Sequence, residues 1–389
     1  MTGILPVSAV ASASAAICSK SSARAVRRTK SAAIDLCYAA LSELQDLVEA
    51  AVADGKAPGA AALVSRADAV EVASAGELEA DSIVRIASLT KPITAAAVML
   101  LVDDGVVALA DPVERWLPEL ASPKVVRTPE SPVDDVLPAE RPITVEDLLT
   151  SRAGWGFPDD FTLPAVTELF ARMPVFGPRQ TPDEWVATLA EVPMLRQPGE
   201  AWLYNTCSDI QGVLVARASG RTLPDFLAER IFEPLGMVDT GFHVPAEKLD
   251  RLPPYHFSPE MPIDDELWKS PPTFPSGSGG LVSTLADWHR FGASLLSGAL
   301  LSPESRRLLM TDHLTQEQRD ASTLFLEGQG WGFGGSVAPD GRYGWIGGTG
   351  TTAHVVPSTR TVGILFTQVQ MAGPTPVPLM REFWRYAFD

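Results

Sequence analysis

Cysteine and histidine are scarce in this 389-residue chain, and the scarcity removes several kinds of chemistry at once. Cys18, Cys37 and Cys207 lie far apart with no C-x-x-C pair, which excludes a disulfide framework and a thiolate zinc site. The five histidines (His243, His256, His289, His313, His354) form no H-E-x-x-H or other ligand spacing, so neither a metal nor any other cofactor is expected. G-x-S-x-G, the nucleophile elbow of the α/β-hydrolases, does not occur. No apolar run reaches the roughly 18 residues that a membrane span requires. Basic charge is short too: 31 Lys and Arg stand against 48 Asp and Glu. Five of the 31 (Lys20, Arg24, Arg27, Arg28, Lys30) fall in residues 1–34, which hold no acid, leaving 26 basic against 48 acidic residues beyond them. A body so acidic repels phosphate backbones and anionic membrane surfaces, and no nucleic-acid partner is expected.

What is present can bury a large core: 46% hydrophobic and 20% charged residues are ordinary for a soluble globular chain of this length. Residues 1–34 are rich in Ala, Ser and Arg, and three readings stay open for them: a disordered tail, a transit peptide, or a start codon placed too far upstream. The expected location of the body is cytoplasmic. Folded structure is expected from 35, as one catalytic domain over 35–389. A helix ending at Gly55 leads into two short strands joined near Ala67-Asp68, and then into an almost wholly apolar helix starting at Ser88. Helices and proline-rich loops fill 106–325, with 121–144 as a surface excursion. Strands return in "TAHVVP" and "TVGILFTQ", turning at Ser358-Thr359, and "VPLMREFWRYAF" closes the chain as a helix. The economical architecture is α+β: a mostly antiparallel sheet built from both termini (35–105 and 326–389), flanked by helices, with 106–325 as a mainly helical insert.

The stretch "IASLTKPIT" carries the chemistry. Ser88 at the first turn of a helix has the positive end of the helix dipole near its oxygen, and Lys91 lies one turn deeper on the same face. Burial lowers a lysine pKa, and a neutral amine can take the serine proton. Alone, S-x-x-K is a weak signal. Two further stretches strengthen it: "PGEAWLYNTCSDI" puts Tyr204 after a Pro-Gly turn at a helix entry, and "GWIGGTGTT" puts an aromatic and three glycines before a strand. The order S-x-x-K, then tyrosine, then a Gly-rich strand start is that of the penicillin-recognising serine enzymes.

With these motifs, and with stretches such as "ITVEDLLTSRAGW", "EPLGMVDTGF" and "PSGSGGLVSTLADWHRFG" that look typical but non-catalytic, the chain resembles the β-lactamase-related serine hydrolases from about residue 40 to its end. That group includes class C β-lactamases, D-alanyl-D-alanine carboxypeptidases and family VIII esterases. The resemblance implies the α/β sandwich of the penicillin-binding-protein-like fold. It implies Ser88 as acylated nucleophile, Lys91 and Tyr204 sharing the proton work, and the backbone N–H groups of Ser88 and Gly348 as oxyanion hole. The second motif departs from Tyr-Ser-Asn or Tyr-Ala-Asn, so Asn205 or Thr206 is expected to make the contact of its third residue. Trp345 stands where related enzymes carry a cation, and with Gly347 and Trp155 it is a candidate substrate contact. Cys207 and His354 are expected to be structural. The expected function is hydrolysis of small or medium acyl esters, with β-lactamase or D-amino-acid carboxypeptidase as the alternative. Acyl transfer and a silent binding protein follow behind, and the intact Ser88, Lys91 and Tyr204 speak against silence.

Overall fold

The computed structural model describes residues 43–67, 69–173, 180–258 and 264–389; the expected tail at 1–34, the helix start near 35 and Asp68 lie outside them. Residues 44–389 form one compact unit. Residues 44–53 are helical, and Gly55 follows with φ of +70°, the left-handed conformation that glycine adopts at helix ends.

Seven antiparallel strands make the main sheet, in the order Ala69–Gly76, Gly59–Arg66, Thr361–Phe366, Thr351–Val356, Tyr343–Gly347, Ser336–Val337, Gly330–Trp331. It is built from both ends of the chain, as expected. The central strands are buried along their whole length, which is why "GAAALVS" and "TVGILF" read as continuous apolar runs rather than alternating ones. Helices cover both faces. In Thr361–Phe366, successive residues point to opposite faces. A Cβ on Gly292 of the helix Leu285–Ser297 would stand 3.1 Å from Val362, and a Cβ on Gly363 would stand 2.6 Å from Phe388 of the C-terminal helix Pro378–Phe388. The two helices therefore sit on opposite faces, each drawn close by a glycine.

The glycine-rich stretch stands immediately before the strand Thr351–Val356, as expected: Tyr343–Gly347 is itself a further strand, and Gly348–Gly350 form the hairpin turn between the two, with Gly350 at φ of +77°. The excursion at 121–144 holds a small ribbon pairing Lys124–Val126 with Val136–Pro138. The helix Pro164–Arg172, opened by a proline in its first turn, belongs to the mainly helical stretch expected over 106–325.

Two buried helices position the site. Thr90–Asp103 is enclosed from Thr90 to Leu101, in keeping with its apolar run from Ile93 to Val102, and Thr206–Ser219 from Thr206 to Val215, burying Ser208, Asp209 and Gln211 with its apolar residues. The segment Ser276–Ser278 threads between them. A Cβ on Gly277 would stand 2.4 Å from the Ser208 carbonyl and 3.0 Å from the Thr94 side chain, so only glycine passes there. The Thr94 hydroxyl donates to the Gly277 carbonyl at 2.8 Å and pins the crossing. Among the described residues, no helix is long and apolar enough to cross a membrane.

Candidate active site

Ser88 lies in a 3₁₀ turn, Ala87–Leu89, that runs into the helix Thr90–Asp103. Its approach is constrained. Ala87 has φ of +45°, an unfavourable conformation for alanine that its surroundings must hold in place. Three side chains bond to the backbone just before it. Thr349 Oγ1 donates to the Arg85 carbonyl at 2.6 Å, and Thr351 Oγ1 donates to the Ile86 carbonyl at 3.0 Å. Gln368 accepts from the Arg85 N–H at 3.0 Å and donates to the Arg85 carbonyl at 3.0 Å, as a neighbouring strand would. Gly347 lies against this segment: a Cβ there would stand 2.5 Å from the Ile86 carbonyl and 2.2 Å from Thr351 Oγ1.

Lys91, in the first turn of the helix and fully buried, places Nζ 2.9 Å from Ser88 Oγ, 2.8 Å from Asn205 Oδ1 and 2.7 Å from the Ser278 carbonyl. Burial lowers its pKa to about 7, against an opposing pull from the Asp209 carboxylate. Tyr204 shares a hydrogen bond with Ser88 and accepts one from Trp345 Nε1 at 2.7 Å. Burial pushes its hydroxyl up to about 12, so the phenol keeps its proton at neutral pH. Its ring packs among Trp202, Phe325 and Trp345 at centroid distances of 5.8, 4.7 and 5.7 Å, and Lys91 Nζ stands 4.6 Å from the ring centroid. Asn205, one of the two residues expected to make the second-motif contact, reaches Lys91 with its backbone at φ of +80° at the helix entry. Thr206 is buried and bonds through its N–H to the Tyr204 carbonyl at 3.2 Å.

Ser88, Tyr204, Asn205, Thr206 and Gly348 all line one cavity of about 590 Å³. Three candidate substrate contacts, Trp155, Trp345 and Gly347, do not line it. Trp155 is 1% exposed and donates its indole N–H to the Val192 carbonyl at 2.8 Å, a packing residue under the site rather than a wall of it. Trp345 is 3% exposed; its indole is turned inward onto Tyr204 and packs edge-on to Trp331 at 4.8 Å. Gly347 is buried beneath the turn, where its missing side chain allows the close approach. Cys207 is buried with its thiol pushed up to about 12, and His354 is buried in the sheet beside Thr352. Among the described residues no cluster suited to a metal ion occurs.

The structure adds groups that the motifs left out. Asp209 accepts from Ser276 Oγ at 2.7 Å, from the Ser278 N–H at 3.0 Å and from Ser278 Oγ at 2.9 Å. "PSGSGG", read above as non-catalytic, therefore borders the nucleophile. The available signal was a lone acid inside the apolar helix "TCSDIQGVLV". The cavity walls are aromatic and aliphatic, with Phe157, Leu169, Trp185, Trp268 and Phe274 prominent. Two charged residues line it among those described. Arg172 is ion-paired with Glu191 and stands 3.6 Å from Glu168, and Asp209 is held by its serines.

The chain is similar to known proteins. The chain is 37% identical over 318 residues to Protein Rv1367c of Mycobacterium tuberculosis, covering 75% of this chain and 78% of that one. It is 29% identical over 336 residues to Esterase EstB of Burkholderia gladioli, covering 78% and 81%. Among solved structures, EstCE1, a hydrolase with promiscuous acyltransferase activity, superposes with a TM-score of 0.78 over 91% of this chain and all of that one, at 20% identity. The Beta-lactamase family model matches residues 44–378, a span that holds the sheet, both buried helices and the Ser88–Lys91–Tyr204 cluster, and on that match the chain belongs to the beta-lactamase family.

Proposed function

We propose that this protein hydrolyses uncharged carboxylic esters through an acyl-Ser88 intermediate. The observation that carries the reading is the bonding of Lys91. A neutral amine has two N–H groups and one lone pair. The Ser278 carbonyl and Asn205 Oδ1 can only accept, so they take both N–H groups and leave the lone pair for the Ser88 hydroxyl. With a pKa of about 7, Lys91 is neutral in a large fraction of molecules at neutral pH.

In the first step Lys91 Nζ takes the Ser88 proton as Oγ attacks the ester carbonyl, and the Ser88 and Gly348 N–H groups receive the developing oxyanion. As the carbon–oxygen bond breaks, the Tyr204 hydroxyl gives its proton to the departing alkoxide and regains one from the Lys91 ammonium. In the second step water attacks the acyl carbon, giving up a proton along the same path, and Ser88 Oγ leaves with a proton restored. Histidine has no part in it.

The cavity favours neutral substrates. β-Lactams and peptide C-termini present a carboxylate, and a charge-assisted contact to one is worth roughly 1.5–3 kcal/mol. Arg172, the one cation among the described lining residues, is already engaged by acids, and neither Arg342 nor Arg360 lines the cavity. Arg342 instead stacks over Trp384 and Phe388. The apolar walls suit esters apolar on both sides of the bond, of a size that a cavity of about 590 Å³ admits. The same walls favour an apolar alcohol over water as acceptor, so acyl transfer is the second reading. Measuring kcat/KM for p-nitrophenyl butyrate and nitrocefin on one preparation tests the proposal. The ester is expected to lead by at least roughly one to two decades, and higher efficiency on nitrocefin overturns it.

A further inference from the structure

Among the described residues, Lys91 makes no contact with a carboxylate. Its three neighbours are neutral, and the nearest anion in its bonding network stands one step back, behind Ser278. Asp209 is buried on the helix Thr206–Ser219, and all three of its described bonds go to the segment that supplies the Ser278 carbonyl. The same residue thus fixes where that carbonyl points and places a negative charge behind it.

The arrangement lies between two that would fail. A carboxylate touching Nζ would form a buried ion pair, hold the ammonium and leave Ser88 without a base. With no anion near, burial alone would make the amine a weaker base. The other titratable groups around Lys91 carry no charge at neutral pH. Tyr204 and Cys207 are held protonated by burial, as is Tyr343 on the sheet side, and the 276–279 segment brings only serines and glycines. Asp209 is accordingly the charge to which the Lys91 amine responds.

We propose that Asp209 is a positioning residue that sets the proton state of Lys91 from behind Ser278 and aims the Ser278 carbonyl at it. The inference rests on Lys91 being the base for Ser88. Removing the negative charge favours the neutral amine, so the acid limb of the kcat/KM profile must move to lower pH.

The test compares pH profiles of p-nitrophenyl butyrate hydrolysis for wild type, Asp209→Asn, Asp209→Ser and Ser278→Ala, with thermal melts of each. Both Asp209 variants should shift the acid limb down by at least about half a pH unit while the alkaline plateau falls up to tenfold and KM stays within about threefold. Ser278→Ala keeps the charge and the carbonyl, so its limb should stay in place whatever its plateau. Two charge-removing variants are included because either one that folds gives the readout. A folded Asp209 variant whose limb coincides with wild type, or moves up, overturns the inference. A wild type with no acid limb near 7, or with no label on Ser88 from a fluorophosphonate, defeats the underlying reading instead.

Discussion

The two sides of Ser88 are held by different means. On the proposed oxyanion side the groups are backbone N–H donors, and their placement rests on Thr349, Thr351 and Gln368 bonding to the carbonyls of Arg85 and Ile86 and on the absence of a side chain at Gly347. On the proposed proton side the groups are side chains, Lys91 and Tyr204, held by Asn205, the Ser278 carbonyl and Trp345. A backbone donor cannot be deleted by mutation; it can only be displaced through its supports. A side-chain base can be deleted outright. Losses should therefore be steep on the proton side and graded on the oxyanion side.

The largest effect is expected from Ser88→Ala, which should abolish ester turnover with an unchanged melting temperature. Lys91→Ala should follow with several orders of magnitude in kcat, since Ser88 then loses the amine 2.9 Å away. Tyr204→Phe keeps the ring in its aromatic cage and removes only the hydroxyl, so kcat should fall by roughly 10²–10⁴; a change under threefold would leave the proton work to Lys91 alone. On the other side, Gly347→Ala puts a methyl 2.5 Å from the Ile86 carbonyl. The turn must shift, and roughly 10²–10³ in kcat is expected, as for loss of an oxyanion donor. Thr349→Val removes one of the supports at near-constant shape, and about a tenfold loss in kcat with KM unmoved would mark a graded displacement. A Thr349→Val loss as large as that of Tyr204→Phe would erase the contrast between deleting a group and displacing one.

The pH profile of the wild type separates the sides again. Lys91 acts as base only when neutral, and its pKa is lowered to about 7, so kcat/KM should fall as pH drops through that value and level off above it. Nothing on the oxyanion side titrates there. The smallest effect belongs to Trp155→Phe, which lies outside the cavity: kcat/KM should hold within about twofold, while the lost bond to the Val192 carbonyl costs stability of about 1 kcal/mol in denaturant melts.

This contrast also explains what the sequence disclosed. Ser88 and Lys91 are one helical turn apart, and Tyr204 follows a Pro-Gly turn, so both signals are local. The apolar helix at 90–103 and the hairpin at 351–366 were equally plain, since burial on all sides leaves an unbroken apolar run. Asp209 and Ser276–Ser278 were not legible as a unit: their partnership spans 67 and 69 residues and exists only where a loop threads between two helices. Trp345 misled for a related reason. Its place in the motif suggested a substrate contact, but the motif says nothing of direction, and the indole turns toward Tyr204 because a buried N–H needs an acceptor. The glycines of the third motif do stand before a strand, Thr351–Val356, but the strand Tyr343–Gly347 ahead of them is not legible, because five residues containing two glycines carry little β signal.

The acyl-Ser88 intermediate is the claim on which both sides depend. Acid quenching during turnover of p-nitrophenyl butyrate, followed by peptide mass mapping, reads it directly. The butyryl group should appear on the peptide containing Ser88 and vanish in Ser88→Ala. A butyryl adduct on another residue, or ester turnover by folded Ser88→Ala protein, would contradict it.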